Sequence, residues 1–377
     1  MMHGIRNILV IGGGITGLTA AACLGRQGFT VDLIEIRARL EDQGGIGLSI
    51  MGNATKALDT IGVAQRCVDA GMPADTYTIR RPDGTIVASP DWPGLGKPRW
   101  PAQIAISRAV FHSILADAAR AASANIRCST SVGAITQTQD AVDVQFRTGE
   151  TKTYDLVIAA DGLRSATRAM VFADPLEPKA VGQAIWRAYA RRPDGITTTQ
   201  LHLGGPQGLV GICPISQDDC YVYCLHSAVA GERRDPATFH LQLREKLEGY
   251  GGLIPALAAQ ITDPSLVSYR PLEALLMPNP WYHGRVLLMG DAAHCNTPNL
   301  SQGAGMGIED AAVLADELTR SHTLDDVLRR FMARRFDRAK MVVDVSGQIA
   351  RAEAEHTPNF DIKAVMTAAS EKLAEPY

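Results

Sequence analysis

Three glycines, Gly12, Gly14 and Gly17, follow the apolar run Ile8-Leu-Val-Ile11 in a G-x-G-x-x-G spacing, which suits phosphate binding. Gly12 permits a tight turn, Gly14 lets the backbone approach a pyrophosphate, and Gly17 lets the next helix pack on the strand. The phosphates would sit on the free amides at the helix N-terminus, around Ile15 and Thr16, where the partial positive charge lies. A second strand, Thr30-Val-Asp-Leu-Ile-Glu35, ends in an acid placed to accept hydrogen bonds from a ribose 2′-hydroxyl, with Ile36 and Arg37 beside it. An acid there disfavours a 2′-phosphate, so this position should hold the adenosine half of FAD or NAD, not NADP. Near the other end, Gly290-Asp291 follows the apolar strand Gly284-Arg-Val-Leu-Leu-Met289. A carboxylate there faces the crevice where ligands of open α/β sheets bind.

The uncharged stretch from Ile8 to Gly25 is long enough to cross a membrane. Its five glycines, their spacing and the arrival of Glu35 argue for the nucleotide turn instead. A chain of 377 residues with net charge -3, 46% hydrophobic and 6% aromatic residues fits a globular enzyme with room for two domains or one large α/β unit. Neither nucleic acid nor membrane is an expected partner, and the early start of the first strand leaves no room for a signal peptide, so a cytoplasmic location is expected. Seven cysteines without framework spacing fit a reducing compartment. Cys213, Cys220 and Cys224 read as ordinary buried residues, and His294-Cys295 lacks a second ligand pair, so no metal is expected.

These residues need elements to hold them. Gly44-Gly-Ile-Gly-Leu-Ser-Ile-Met-Gly-Asn-Ala54 reads as a glycine-rich approach to the cofactor, followed by a helix ending near Ile61-Gly62. Thr76 to Ala88 alternates about Pro82-Asp-Gly84, as a hairpin does. Ser107 is a natural N-cap for a helix from Arg108 to Arg120. Tyr154-Asp-Leu-Val-Ile-Ala-Ala160 reads as one buried parallel strand, and Ala184 to His226 as several short β segments. From Ser301 the pattern is mostly helical with charged faces.

Three separated motifs then combine: the glycine turn with Glu35, the segment Ala160-Asp-Gly-Leu-Arg-Ser-Ala-Thr-Arg168, and Gly290-Asp-Ala-Ala-His-Cys-Asn-Thr-Pro298 continuing to Gln302-Gly-Ala-Gly-Met-Gly-Ile-Glu-Asp-Ala311. In this order they resemble the single-component (group A) FAD-dependent aromatic hydroxylases, the para-hydroxybenzoate and salicylate hydroxylase group. The shorter members acting on hydroxybenzoates, hydroxynicotinate or urate are the most similar. The resemblance implies an α/β fold with a Rossmann-like FAD-binding domain of the GR2 type (1–75, 107–175 and 273–345). It is interleaved with a mixed β-sheet substrate domain (76–106 and 176–272) and followed by a C-terminal helical tail (346–377).

The resemblance further implies that Asp291 bonds the ribityl chain of FAD, that Arg108 reaches its phosphate or ribityl region, and that Asp161, Arg164 and Arg168 serve both FAD and a visiting NADH or NADPH. Pro298 to Gly307 resembles the loop beside the flavin ring, with Gly303, Ala304 and Gly305 approaching the isoalloxazine. The glycines should allow positive φ there, and a helix from Ile308 should point its N-terminus at the flavin. The chain departs from the commoner Gly-Gln-Gly-x-Asn form, with Ser301 before the Gln and Gly305 where Asn is frequent. The implied reaction is reduction of FAD by NAD(P)H, addition of O2 to give a flavin C4a-hydroperoxide, and oxygen transfer to a small electron-rich aromatic or N-heteroaromatic substrate.

Substrate recognition should come from the sheet. In Ile185-Trp-Arg-Ala-Tyr189, a period of two puts Arg187 and Tyr189 on one face and Trp186 on the other. An arginine between apolar neighbours is costly to bury unpaired, so Arg187 meets an anion, a substrate carboxylate or other acidic oxygen, or lies on an exposed edge. Tyr221 and Tyr223 share a face opposite Cys220, Cys224 and His226, and these, like His202, read as core or surface. No general base stands out. Competing readings are a flavin monooxygenase or epoxidase for a larger non-aromatic natural product, a flavin oxidoreductase without oxygen insertion, and a non-catalytic flavin-binding protein. A monomer or homodimer is expected.

Overall fold

The strand Asn7–Ile11 is buried on both faces, and the fold of the first half grows from that fact. In the computed structural model, which describes residues 4–42, 45–92, 99–229, 231–355 and 357–377, it lies inside a six-stranded sheet. Thr30–Ile34 and Leu156–Ala159 pair with it in parallel, with Val10 opposite both Leu33 and Ile158. Val286–Leu288 extends the sheet in parallel beyond Leu156–Ala159. Alternation sorts the side chains: Ile8 and Val10 face a core shared with the helices Ile15–Arg26, Arg108–Ala121 and Gly303–Arg320. Leu9 and Ile11 face a second core closed by the antiparallel strands Val132–Gln137, Val142–Phe146 and Thr151–Tyr154. Tyr154 therefore ends that meander, and the parallel strand expected from Tyr154 begins at Leu156.

Ligand-facing ends of parallel strands lie at their C-termini, and the nucleotide turn, the Asp161 segment and Asp291 all follow such ends.

The second large sheet has seven strands. Where short segments were expected, Lys179–Arg191 forms one 13-residue strand between Val267–Ala274 and Asp219–Ser227. Gly208–Pro214 and Gln200–Gly205 follow, and the hairpin Thr78–Arg80 with Ile86–Ala88 joins the far edge through a parallel pairing with Gln200–Gly205. Trp186, Ala188, Cys220, Val222 and Cys224 turn inward against the helices Phe239–Lys246 and Ile254–Gln260. Arg187, Tyr189, Tyr221 and Tyr223 turn the other way, toward a small sheet of Gly47–Met51, Met72–Ala74 and Gln103–Ser107.

Leu324–Ala354 is a single 31-residue helix that passes through Ser346 unbroken, capped by the Thr323 hydroxyl on the Asp326 amide. Ile362–Ala374 packs back on it, with Ile349 and Leu373 sharing an apolar cluster with Met51, Leu300 and Met306. Among the described residues, no helix is long and apolar enough to cross a membrane.

Candidate active site

The glycine turn is built as its spacing requires. Gly12 has φ +108°, and a Cβ there would lie 2.4 Å from the Ala160 carbonyl oxygen. A Cβ on Gly17 would lie 1.9 Å from the Gly12 carbonyl oxygen, so only hydrogen fits where helix meets strand. Gly14 is the N-cap of Ile15–Arg26, no side chain caps that helix end, and the space beside its Cα is open. The amides of Ile15, Thr16 and Gly17 have no intrahelical partner at that position. Open space in front of free amides is what a pyrophosphate needs.

Glu35 is buried at the end of its strand, where Oε2 accepts the Gly13 N–H at 2.9 Å and Oε1 accepts the Arg37 N–H at 2.9 Å. The carboxylate thus braces the turn as well as standing at the ribose position. Ile36 is exposed, and the Arg37 guanidinium reaches Glu35 Oε1 at 3.4 Å. His112, unremarked in the sequence, binds the Gly13 carbonyl through Nε2 at 2.7 Å and holds the turn from the other side. Gly44 of the expected glycine-rich approach lies outside the described residues. Its continuation, Gly47–Met51, is a strand leading into the helix Gly52–Asp59.

Asp291 opens a one-turn helix, Asp291–His294, after Gly290 at φ +59°. Its side chain is open to solvent yet ringed by protein, the signature of a cleft wall. Burial raises the carboxyl above the usual range, and His294, Arg108 and Cys295 oppose that. Arg108 begins its helix after Ser107, which occupies the N-cap position without making the side-chain cap bond. Burial lowers the Arg108 guanidinium's affinity for its proton, Asp291 restores some of it, and Arg187, Arg270 and Arg37 add to the lowering. Arg108 therefore stands between the Asp291 cleft and the sheet face that carries Arg187.

Asp161 and Arg168 spend their hydrogen bonds locally. Asp161 accepts from the Ser165 hydroxyl at 2.5 Å and the Thr167 amide at 3.0 Å. Arg168, buried, donates to the Leu163 carbonyl at 2.9 Å and to the Ala292 carbonyl at 3.0 Å, which ties this segment to the Asp291 turn. Arg164 is exposed and paired in a fork with Glu273 at 2.7 and 2.8 Å.

The segment expected as a loop from Pro298 to Gly307 is mostly helix. Pro298–Leu300 is a 3-10 turn, Ser301 is left-handed at φ +54°, and the helix starts at Gly303, five residues before Ile308. Positive φ falls on Ser301 and Gly290, and Gly303, Gly305 and Gly307 have none. Gly307 answers a different need: a Cβ there would lie 2.0 Å from Thr16 Oγ1, so the glycine lets two helices touch. Ala304, half-buried, stands in the first turn.

On the sheet, register places Arg187 opposite Tyr223 and Tyr189 opposite Tyr221. Arg187 makes no hydrogen bond or ion pair with the described residues, and burial lowers its affinity for its proton while Tyr221 and Tyr223 oppose this. Burial also pushes both phenols up, so they stay protonated. Tyr189 is spent elsewhere: its hydroxyl donates to Asp219, on the wall of a cleft of about 450 Å³ that also touches Ile46, Val110 and Ser268. The structure thus brings Arg187 together with Tyr221 and Tyr223, the pair read from sequence as core or surface.

Behind the site lies a network with no signal in the sequence. Asp310 Oδ2 accepts the Gly290 amide at 2.9 Å and His294 Nε2 at 2.6 Å, and Asp310 Oδ1 accepts Arg335 Nε at 2.8 Å. Arg335 also reaches Glu309 at 2.6 Å, and Glu309 receives Asn53 at 2.7 Å and Arg338 at 2.8 Å. These charges read as solvated faces because their partners lie on different helices. No group of three potential metal ligands occurs among the described residues.

The open amides after Gly14, the cleft-wall carboxylate of Asp291 and Arg108, whose guanidinium has no hydrogen-bond partner among the described residues, fit FAD: pyrophosphate on the first, ribityl hydroxyls on the second, negative charge near the third. The FAD binding domain family matches residues 6–346. The chain is 30% identical over 354 residues to the aurachin C monooxygenase/isomerase of Stigmatella aurantiaca, covering 92% of this chain and 90% of that protein. It is 31% identical over 348 residues to the 3-amino-4-hydroxybenzoate 2-monooxygenase PtmB3 of Streptomyces platensis, covering 89% and 85%. Klebsiella pneumoniae HpxO, solved with FAD and uric acid, superposes with a TM-score of 0.83 at 24% identity over 99% of this chain and 94% of that one. The family match over residues 6–346, with relatives at least 30% identical along most of their length, places the chain in the FAD binding domain family, as a FAD-dependent monooxygenase.

Proposed function

We propose that this monooxygenase hydroxylates a small, electron-rich aromatic or N-heteroaromatic substrate that carries an acidic group, with NADH or NADPH and O2 as co-substrates. The observation that carries the reading is Arg187: a half-buried guanidinium that burial weakens as a base and that has no hydrogen-bond or ion-pair partner among the described residues, on a sheet face shared with two phenols. Burying an unpaired charge costs several kcal/mol, and an anion that arrives with the substrate offsets that cost. PtmB3 is named for a substrate with a carboxylate and a phenol, which suits this face.

FAD, when bound, supplies electrons drawn from the nicotinamide and activates O2, chemistry no side chain here can supply. NAD(P)H is typical of the family. The protein's part is to place the ring. Glu35 stands for the ribose, the Ile15 and Thr16 amides for the pyrophosphate, and Asp291 with Arg108 for the ribityl region. Arg187 holds the substrate's acid, and Tyr221 and Tyr223 offer hydroxyls beside it. Pro298 and the first turn of Gly303–Arg320 form the flavin side of the site. Arg168 supports the Asp291 turn through the Ala292 carbonyl, and Asp161 holds the Arg168 segment through the Ser165 hydroxyl and the Thr167 amide.

The test is oxidation of NADH and NADPH by the purified yellow protein against hydroxybenzoates, hydroxypyridines, purines and an alkylquinolone, with peroxide and oxygenated product quantified together. Stimulated oxidation matched by product from an acidic aromatic supports the reading. Product from the alkylquinolone alone, or peroxide without product throughout the panel, contradicts it.

A further inference from the structure

Glu353 lies near the C-terminal end of Leu324–Ala354, beyond residue 346 where the family match stops. Its Oε2 accepts two amides: Gln183 Nε2 at 3.0 Å and Asn299 Nδ2 at 2.9 Å. Gln183 is on the strand that carries Arg187, four residues away and on the same face, about 13 Å along the strand. Asn299 follows Pro298 in the 3-10 turn on the flavin side. One carboxylate oxygen therefore ties substrate sheet to flavin segment.

The other oxygen does not share in this. Glu353 Oε1 accepts no hydrogen bond from a described residue and is not sealed from solvent. The carboxyl is also near enough to the Tyr223 phenol to add to its raised pKa, so it faces the Arg187 side of the sheet. Burial raises the Glu353 carboxyl itself, and the two amides oppose that. In the two amides that bind it, Gln183 Oε1 and Asn299 Oδ1 are buried without partners among the described residues, as is Thr297 Oγ1, two positions before Asn299. Buried acceptors without donors are uncommon and mark a polar site that a ligand or water completes.

We infer that Glu353 is a specificity residue of the substrate site: its free oxygen receives a hydrogen-bond donor, an amino, ring N–H or hydroxyl group, on the part of the ring away from the acid held by Arg187. This rests on the proposed function and adds to it a second recognition element of opposite polarity. Cations hold the acidic end, and an acceptor selects the donor end.

The experiment measures binding of 3-amino-4-hydroxybenzoate and its near-isostere 4-hydroxy-3-methylbenzoate to the oxidised holoenzyme by perturbation of the flavin spectrum. A charged acceptor facing the amino group should give the first ligand about a tenfold advantage in wild type. In Glu353→Gln the amide oxygen stays with Gln183 and Asn299, which need an acceptor, and the new N–H2 occupies the free position. The advantage should vanish or reverse, with FAD content and thermal midpoint held. Equal affinities in wild type overturn the assignment whatever the variant does, and so does an undiminished advantage in Glu353→Gln. If neither ligand perturbs the wild-type flavin, the acidic-aromatic reading itself falls, and this inference with it.

Discussion

Arg335 and Asp310 meet at 2.8 Å in a part of the protein where neither side chain is exposed at all. The pair stands behind the cofactor turn, because the other oxygen of Asp310 holds the Gly290 amide and His294. Removing one partner of a buried pair leaves an uncompensated charge, a loss of about 3–5 kcal/mol. Arg335→Ala should therefore lower the stability of the apoprotein by that amount and release FAD on dilution. Chemical denaturation together with flavin content after gel filtration measures both. A variant within about 1 kcal/mol of wild type would show that the pair is not needed.

The same pair sets an acid limit. Burial alone would raise the Asp310 carboxyl, but His294, Arg335 and the Gly290 amide outweigh it and bring it to about 2. A carboxyl lowered in the folded state contributes stability that is fully present above its unfolded value of 3.8 and is lost as pH falls toward 2. The wild-type unfolding free energy should drop across that window. Asp310→Asn, less stable at neutral pH, should show a shallower drop. Parallel curves for the two proteins would remove Asp310 from the acid response.

Gly307→Ala tests the helix contact under the glycine turn. Its new Cβ would fall 2.0 Å from Thr16 Oγ1, so the two helices must separate. Overpacking of this kind costs about 1–3 kcal/mol, and because Thr16 sits in the phosphate turn, FAD affinity should fall with stability. Adding Thr16→Ala removes the clashing hydroxyl and should recover part of both. Additive losses in the double variant would mean that the contact is not the cause.

Arg187→Ala should raise the dissociation constant of an acidic aromatic ligand by tenfold or more, since a charge-assisted hydrogen bond is worth about 1.5–3 kcal/mol. The neutral amide or ester of the same ligand should be affected much less. Flavin-perturbation titrations give both constants. Unchanged binding of the acid would take Arg187 out of the site.

Much of the cofactor half was legible because its residues act locally. A glycine that must turn, an acid at a strand end and a carboxylate after an apolar strand each carry their reason within a few positions, as Gly12, Glu35 and Asp291 do. The helix start at Gly303 was hidden because three glycines in five residues read as a loop, while packing against Thr16 stabilises them as helix. Arg335, Glu309 and Asp310 were hidden for another reason: charge at helical spacing looks solvated until a partner about 25 residues away is known. Tyr221 and Tyr223 alternate correctly in sequence, but only register with Arg187 and Tyr189 shows which face they share.

The unbroken helix Leu324–Ala354 holds Arg335 and Glu353 on one rod, 18 residues and about 27 Å apart. One end braces the Gly290 turn through Asp310; the other reaches the strand that carries Arg187 through Gln183. The family match stops between them, at residue 346. On the specificity role inferred for Glu353, changes in the distal half of the rod would alter which ring this chain accepts while the brace at Arg335 stays as it is, so selection and oxygenation are separable along a single helix.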